Sequence, residues 1–160
     1  MQGTFRTKTQ TGVAAIEFAL VLLLFLSLLY GIATFGMVFY TQQAVSRAAE
    51  DGARAISLLG STALVANDPQ IQGVVRNSLA ASLIAPPGVD YDTAAERKTW
   101  VSNAQNVSVT TTDNACGSSG PSCVNVTVQY QYSRNSILPA SSLINWTLPT
   151  TLTASAFASK

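Results

Sequence analysis

The chain has 160 residues, of which 48% are hydrophobic and only 11% are charged, whereas about a quarter of the residues in a typical soluble domain carry a charge. The net charge of +1 argues against nucleic-acid binding, because no basic field is available to hold a phosphate backbone. Histidine is absent and only two cysteines are present, which disfavours most hydrolytic and metal chemistry. We therefore expect no enzyme activity and no cofactor.

A long uncharged run lies near the N-terminus, from Phe18 to Tyr40. At about 1.5 Å per residue, a helix of this length crosses the roughly 30 Å hydrocarbon core of a bilayer. The polar stretch before the run contains Arg6 and Lys8 and no acid, so the positive-inside rule puts the N-terminus in the cytoplasm. A signal peptide usually has a shorter apolar region, of about 7 to 15 residues. The run predicts a single membrane-spanning helix, and a buried helix of a soluble protein is the alternative.

One acidic residue, Glu17, stands at the start of this run, five positions after Gly12. Near the first turn of a helix the dipole favours a carboxylate by about 0.3–1 kcal/mol, whereas a charge deeper in the bilayer costs about 2.5–3.5 kcal/mol. Glu17 is therefore either an ordinary residue of the membrane boundary or an acid that has a partner.

The surrounding residues form a recognisable pattern, which consists of GVAAIEFALVL from Gly12, the apolar run, and QQAV from Gln42 with two alanines after it. This pattern, over about residues 12 to 55, resembles the TadE-like family of pseudopilins from bacterial tight-adherence (Flp-type) pilus systems. The resemblance implies that a prepilin peptidase cuts after Gly12, so that Val13 becomes the new N-terminus and Glu17 the fifth mature residue. Such sequences often have a proline where this chain has Leu23, so a TadF-like or other Flp-type pseudopilin is an alternative.

The resemblance also implies partners and a location. The partners are the prepilin peptidase, other pilins or pseudopilins, the inner-membrane assembly platform and the membrane itself. The protein is expected in the bacterial inner membrane or in a pilus, with the C-terminal domain in the periplasm. A free ammonium group on Val13 would pair with the Glu17 carboxylate of a neighbouring subunit, because two charges in a low dielectric compensate each other, and this pair would set the axial register.

Helical spacing continues beyond Tyr40 and predicts one helix over residues 13–59. On this helix Ala44, Ala48 and Gly52 recur every four positions, which lets another backbone approach closely. These three residues pack either against another subunit or against the chain's own C-terminal domain. The charged residues on the opposite face predict a solvated surface.

Residues 60–160 predict a small periplasmic α+β domain with a second helix and an antiparallel sheet of about three strands. Asp68 and Pro69 are typical of an N-cap and a first helical position, and the run Ala85-Pro86-Pro87-Gly88 predicts the end of this helix. Apolar residues at helical spacing form its predicted buried stripe: Ile71, Val74, Val75, Leu79 and Leu83. The strands are predicted at Asn106–Thr112, Val124–Tyr132 and Thr150–Phe157. Residues 1–12 then form a cytoplasmic leader.

Cys116 and Cys123 flank a turn-rich connection between the first two predicted strands. In an oxidising compartment we expect a disulfide that closes this loop, and free thiols or a redox pair are the alternatives. Taken together, the sequence favours a minor pilin or pseudopilin that acts in pilus assembly through helix packing. The second hypothesis is an uncleaved, membrane-anchored binding module of the cell envelope.

Overall fold

The computed structural model describes residues 11–59, 67–82, 84–85, 93–115, 122–138 and 147–159. The elements follow in the order α1 (Thr11–Leu59), α2 (Pro69–Ala81), α3 (Ala94–Ser102), β1 (Val107–Ala115), β2 (Ser122–Tyr130) and β3 (Leu152–Ser159). The fold is α+β with a long N-terminal helix and a three-stranded antiparallel sheet, which confirms the predicted fold class.

Helix α1 runs without a break through 49 residues. The described chain forms two compact units, one made of residues 11–35 and the other of the residues from Gly36 onward. The second unit has a hydrophobic core to which α1 contributes Val45, Ala48, Ala49 and Ile56. In this unit α1 is thus amphipathic. Of the four charges predicted on its solvated face, Arg47, Glu50 and Arg54 are exposed, whereas Asp51 is half-buried because it accepts a hydrogen bond from Ser78 of α2.

Helix α2 begins as the sequence predicts. The Asp68 carboxylate accepts a hydrogen bond of 2.7 Å from the backbone N–H of Gln70, and Pro69 takes the first helical position. The helix ends at Ala81, earlier than predicted, because the Ser82 backbone is extended and its N–H turns back to the carbonyl of Leu79. Two further predictions on this helix have different outcomes: Val74 is exposed, so its assignment to the buried stripe is wrong, and Leu83 lies outside the described residues.

Helix α3 was not predicted from the hydrophobic pattern. Its N-terminus is a capping box, in which the Thr93 hydroxyl accepts from the N–H of Glu96 and the Glu96 carboxylate accepts from the N–H of Thr93. The Arg97 side chain donates a 2.8 Å hydrogen bond from Nε to the carbonyl of Ala80. This bond joins α3 to the C-terminal end of α2.

The sheet has the order β1-β2-β3, with both pairs antiparallel. Val126 is opposite Thr111 on one side and Ala156 on the other, so alternate residues of all three strands face the core. The predicted second strand included Tyr132, but β2 ends at Tyr130. Tyr132 is buried in the following turn, where its N–H bonds to the carbonyl of Tyr130.

Side chains from other elements bond to the main chain of both outer strands. On β1, Asn67 accepts a hydrogen bond at Oδ1 from the N–H of Thr111 (3.4 Å) and donates its own N–H to Oγ1 of Thr111 (2.6 Å). On β3, the Gln42 side chain of α1 donates from Nε2 to the carbonyl of Thr153 at 3.1 Å. Asn67 adopts a φ of 65°, a left-handed conformation that asparagine tolerates better than most residues.

Candidate functional site

The predicted processing site lies in the first turn of α1. The helix begins at Thr11, so it already includes the peptide bond between Gly12 and Val13. A Cβ placed on Gly12 would meet no described atom within 4 Å, and Val13 is 69% exposed. Glu17 is also exposed and lies four residues after Val13, which puts both on one face about 6 Å apart along the axis. The Gly12–Val13 bond, the Val13 side chain and the Glu17 carboxylate therefore lie together on one accessible surface of the helix.

The helix surface after Glu17 is apolar and uncovered. The most apolar 18-residue window of α1 has a mean hydropathy of 2.5, and none of it is buried. Among the described residues, α1 is the one helix long and apolar enough to cross a membrane. A buried helix of a soluble protein does not fit this exposure, since leaving apolar surface in water costs about 25 cal/mol per Å². The exposed helix is what a single-pass membrane protein requires.

Hydroxyl groups within this helix have acceptors on their own backbone. Ser27 donates to the carbonyl of Leu24, Thr34 donates to that of Tyr30, and each bond is 2.8 Å long. In a bilayer no water is available for such groups, so a hydroxyl without an intrahelical acceptor would be costly. These side chains therefore do not oppose insertion into lipid.

The stripe of small residues packs within its own chain. A Cβ on Gly52 would lie 2.7 Å from Cγ2 of Val75 on α2 and 3.1 Å from Cγ1 of Val126 on β2. Ala48 is buried and Ala44 packs partly buried against the same core. The stripe had two interpretations, packing against another subunit or packing against the chain's own C-terminal domain. The described residues show the second of these contacts.

Two polar contacts hold the second unit together around this packing. The Ser78 hydroxyl of α2 donates a 2.6 Å hydrogen bond to the Asp51 carboxylate of α1. The buried Tyr130 hydroxyl lies 2.8 Å from the carbonyl oxygen of Ile84 and 2.9 Å from that of Asn135. Burial, with a smaller contribution from the neighbouring Tyr132, raises the pKa of Tyr130 well above its ordinary value. Tyr130 therefore joins two connecting segments to the core.

The remaining predicted site residues are the cysteines. Cys123 is buried near the start of β2, opposite Asn114 on β1 and Ser159 on β3. Cys116 lies outside the described residues, so the disulfide stays a prediction. The described ranges contain no group of three or more Cys, Asp or Glu residues that could hold a metal ion.

A comparison with family models supports the N-terminal pattern. The model described as TadE-like protein matches residues 12–54, which begin at the glycine of the predicted cleavage site and extend through the small-residue stripe. No curated protein and no solved structure matches the chain. Residues 12–54 are therefore similar to the TadE-like family, which confirms the resemblance drawn from these residues.

Proposed function

We propose that the chain is a minor pilin or pseudopilin that takes part in assembly of a tight-adherence (Flp-type) pilus, and that a prepilin peptidase removes residues 1–12. The observation that carries this proposal is the TadE-like match over residues 12–54, which coincides with an exposed apolar helix that has Glu17 near its start. In this proposal the helix supplies the contacts with lipid and other subunits, and the α+β domain is exported to the periplasm.

The position of the Gly12–Val13 bond supports processing. The bond precedes the apolar run, in an exposed part of α1: a Cβ on Gly12 would meet no described atom within 4 Å, and Val13 is 69% exposed. A peptidase needs an extended substrate, and local opening at residues 11–14 exposes this bond without disturbing the apolar run that follows. Gly12 adds no side chain to obstruct an approaching active site.

The exposed Glu17 supports assembly through charge pairing. Cleavage creates an ammonium group on Val13, and at 4 Å this group would attract a neighbour's Glu17 carboxylate by about 4 kcal/mol at an effective dielectric constant near 20. An unpaired acid in the bilayer costs about 2.5–3.5 kcal/mol. The two quantities are similar, so pairing offsets the cost of holding Glu17 in lipid, and a subunit without its partner retains that cost.

The internal packing of Ala44, Ala48 and Gly52 limits which surface of α1 can contact other subunits. Because Gly52 and Ala48 already contact the chain's own core, the surface of α1 that remains for other subunits is the exposed apolar surface within residues 13–40. We therefore assign helix packing between subunits to that surface, and the role of Ala44, Ala48 and Gly52 to internal packing.

Intact-mass measurement after co-expression with a prepilin peptidase tests the processing step. We expect the mature protein to begin at Val13, and we expect Gly12→Val to abolish the cut because the β-branched side chain obstructs the active site. Gly31→Val is the matched control, since a Cβ at Gly31 also meets no described atom. A wild-type protein that retains Met1 would contradict the proposal and favour the uncleaved binding module.

Fibre production tests the assembly step. Glu17→Gln keeps the size of the side chain and removes its charge, so we expect normal insertion and cleavage but loss of fibres. Glu50→Gln is the control, because Glu50 is an exposed acid of the same helix outside the apolar run. Undiminished fibres in the Glu17 variant would show that the charge pair does not set the register.

A further inference from the structure

A small polar pocket lies between α1 and the C-terminal end of α2. Its volume is about 100 Å³, and its lining consists of Tyr40, Gln43, Ala44, Arg47 and Ser82. The first four are spaced as i, i+3, i+4 and i+7, which places them on one face of α1. At about 30 Å³ for each water molecule, the pocket has room for a small polar group but not for an acyl chain.

The pocket carries a positive charge. Arg47 is exposed, and it forms no hydrogen bond or ion pair with any residue that the structure describes. No ion pair joins Arg47 to the acids of the next turn among the described residues: the Asp51 carboxylate accepts the hydrogen bond from Ser78, and the Glu50 side chain is exposed to solvent. The guanidinium is therefore available to an external anion, with the Gln43 amide as a second donor beside it.

The C-terminal end of α2 would repel an anion if its carbonyl groups were free, because this end of a helix carries partial negative charge. Three of those carbonyls have donors. The Ser82 N–H bonds to Leu79 at 3.0 Å, the Ser82 hydroxyl bonds to Ser78 at 3.3 Å, and the Arg97 guanidinium bonds to Ala80 at 2.8 Å. The Arg97 charge in particular offsets the negative end of α2 beside the pocket.

The position of the pocket along α1 places it at the depth of the lipid headgroups. Tyr40 ends the apolar run, and Arg47 follows seven residues later, about 10.5 Å further along the helix. Side chains on a helix lean toward its N-terminus, which for Arg47 is the direction of the membrane. The headgroup layer is roughly 5–7 Å thick on each side of the hydrocarbon core, so the guanidinium reaches it, and tyrosine is a preferred residue at this depth.

We propose that this pocket binds the phosphate group of a membrane phospholipid, with Arg47 as the charged ligand and Gln43 as a neutral donor. An Arg and an amide are suited to phosphate oxygens, and a single guanidinium provides the bidentate geometry that they favour. The lipid headgroup is the source because the pocket opens at the depth where such phosphates are concentrated. The bound lipid would fix the height of the second unit above the bilayer, a role that depends on α1 crossing the membrane and not on pilus assembly.

Native mass spectrometry of the full chain in nanodiscs tests this proposal. The discs contain equal amounts of phosphatidylglycerol and digalactosyldiacylglycerol, which has similar tails but a neutral headgroup without phosphate. We compare the wild type with Arg47→Gln and with Arg54→Gln, the matched control, because Arg54 is exposed on the same helix about 10.5 Å further from the membrane. Circular dichroism checks that all three proteins are folded.

We expect the ratio of bound phosphatidylglycerol to bound galactolipid to fall about fivefold in Arg47→Gln, because this is the effect of removing one cationic side chain near an anionic surface. The ratio should stay unchanged in Arg54→Gln. An unchanged ratio in Arg47→Gln overturns the proposal. An equal fall in both variants also overturns it, because the effect would then be one of total charge. In a final arm, 50 mM inorganic phosphate should leave the ratio unchanged, and displacement of the lipid by free phosphate would overturn the assignment to a headgroup.

Discussion

The close packing of Gly52 leads to a quantitative prediction for Gly52→Ala. The new Cβ would lie 2.7 Å from Cγ2 of Val75, a contact that requires movement, and Val75 is fully buried with one strongly preferred rotamer in a helix. Overpacking of this kind costs about 1–3 kcal/mol. Alanine gains about 1 kcal/mol over glycine in a helix interior. We therefore expect Gly52→Ala to lower the free energy of unfolding by about 0–2 kcal/mol.

Gly73→Ala is the matched control for this substitution. Gly73 lies in the interior of α2, and a Cβ there would meet no described atom within 4 Å. Only the gain in helix propensity applies, so we expect this variant to be about 1 kcal/mol more stable than the wild type. The two alanine variants should therefore differ by about 1–3 kcal/mol, although both make the same chemical change.

The assay is urea unfolding of the full chain in detergent micelles, followed by tryptophan fluorescence; Trp100, one of the two tryptophans, packs partly buried against the core. A third variant, Val75→Ala, removes the methyl group that the new Cβ would strike, so Gly52→Ala should be less harmful in that background than in the wild type. If Gly52→Ala and Gly73→Ala stabilise the protein equally, the stripe does not pack tightly inside the chain. It would then be available to another subunit.

Substitutions at two further positions test polar contacts of the second unit. Tyr130→Phe removes the hydroxyl near the carbonyls of Ile84 and Asn135, and we expect a loss of about 0.5–1.5 kcal/mol in the free energy of unfolding at neutral pH. Because burial raises the pKa of Tyr130, the folded state keeps this proton while the unfolded state loses it above its ordinary pKa of about 10. Wild-type stability should therefore fall as the pH rises above 10, and the urea midpoint of Tyr130→Phe should fall less steeply. Asp68→Ala should cost about 1 kcal/mol by removing the acceptor for Gln70, whereas Asp68→Asn should retain most of the stability in the same assay.

The sequence predicts those elements that have a strong local signal. The charge-free run from Phe18 to Tyr40 indicates a long helix by composition alone. The Asp68-Pro69 pair predicts the start of α2 because capping depends on neighbouring residues. Alternation of valine with polar residues from Val124 predicts β2, since one face of this strand is buried and the other is not.

Helix α3 and the function of the small-residue stripe are harder to predict, for different reasons. In α3 only Val101 is buried, so the segment lacks the repeating apolar residues that indicate a helix in the sequence. The sequence feature that could have predicted α3 is the Thr93–Glu96 capping box at its N-terminus. For the stripe, a period of four small residues permits close approach by any backbone. The partners of Gly52 are Val75 and Val126, which are distant in sequence, so the identity of the neighbour depends on tertiary structure.

Asn67 contacts Thr111 on β1, and Gln42 contacts Thr153 on β3. These two contacts affect how the sheet behaves when many copies of the chain lie close together. Each occupies a hydrogen-bonding group on an outer strand that an incoming strand from another molecule would otherwise use. If the chain assembles in a membrane as we propose, its copies lie close together, and their high local concentration favours unregulated strand addition. Because one main-chain group on each outer strand is already occupied, an added strand could not form a complete ladder there, and amyloid-like growth is disfavoured relative to association through the helix.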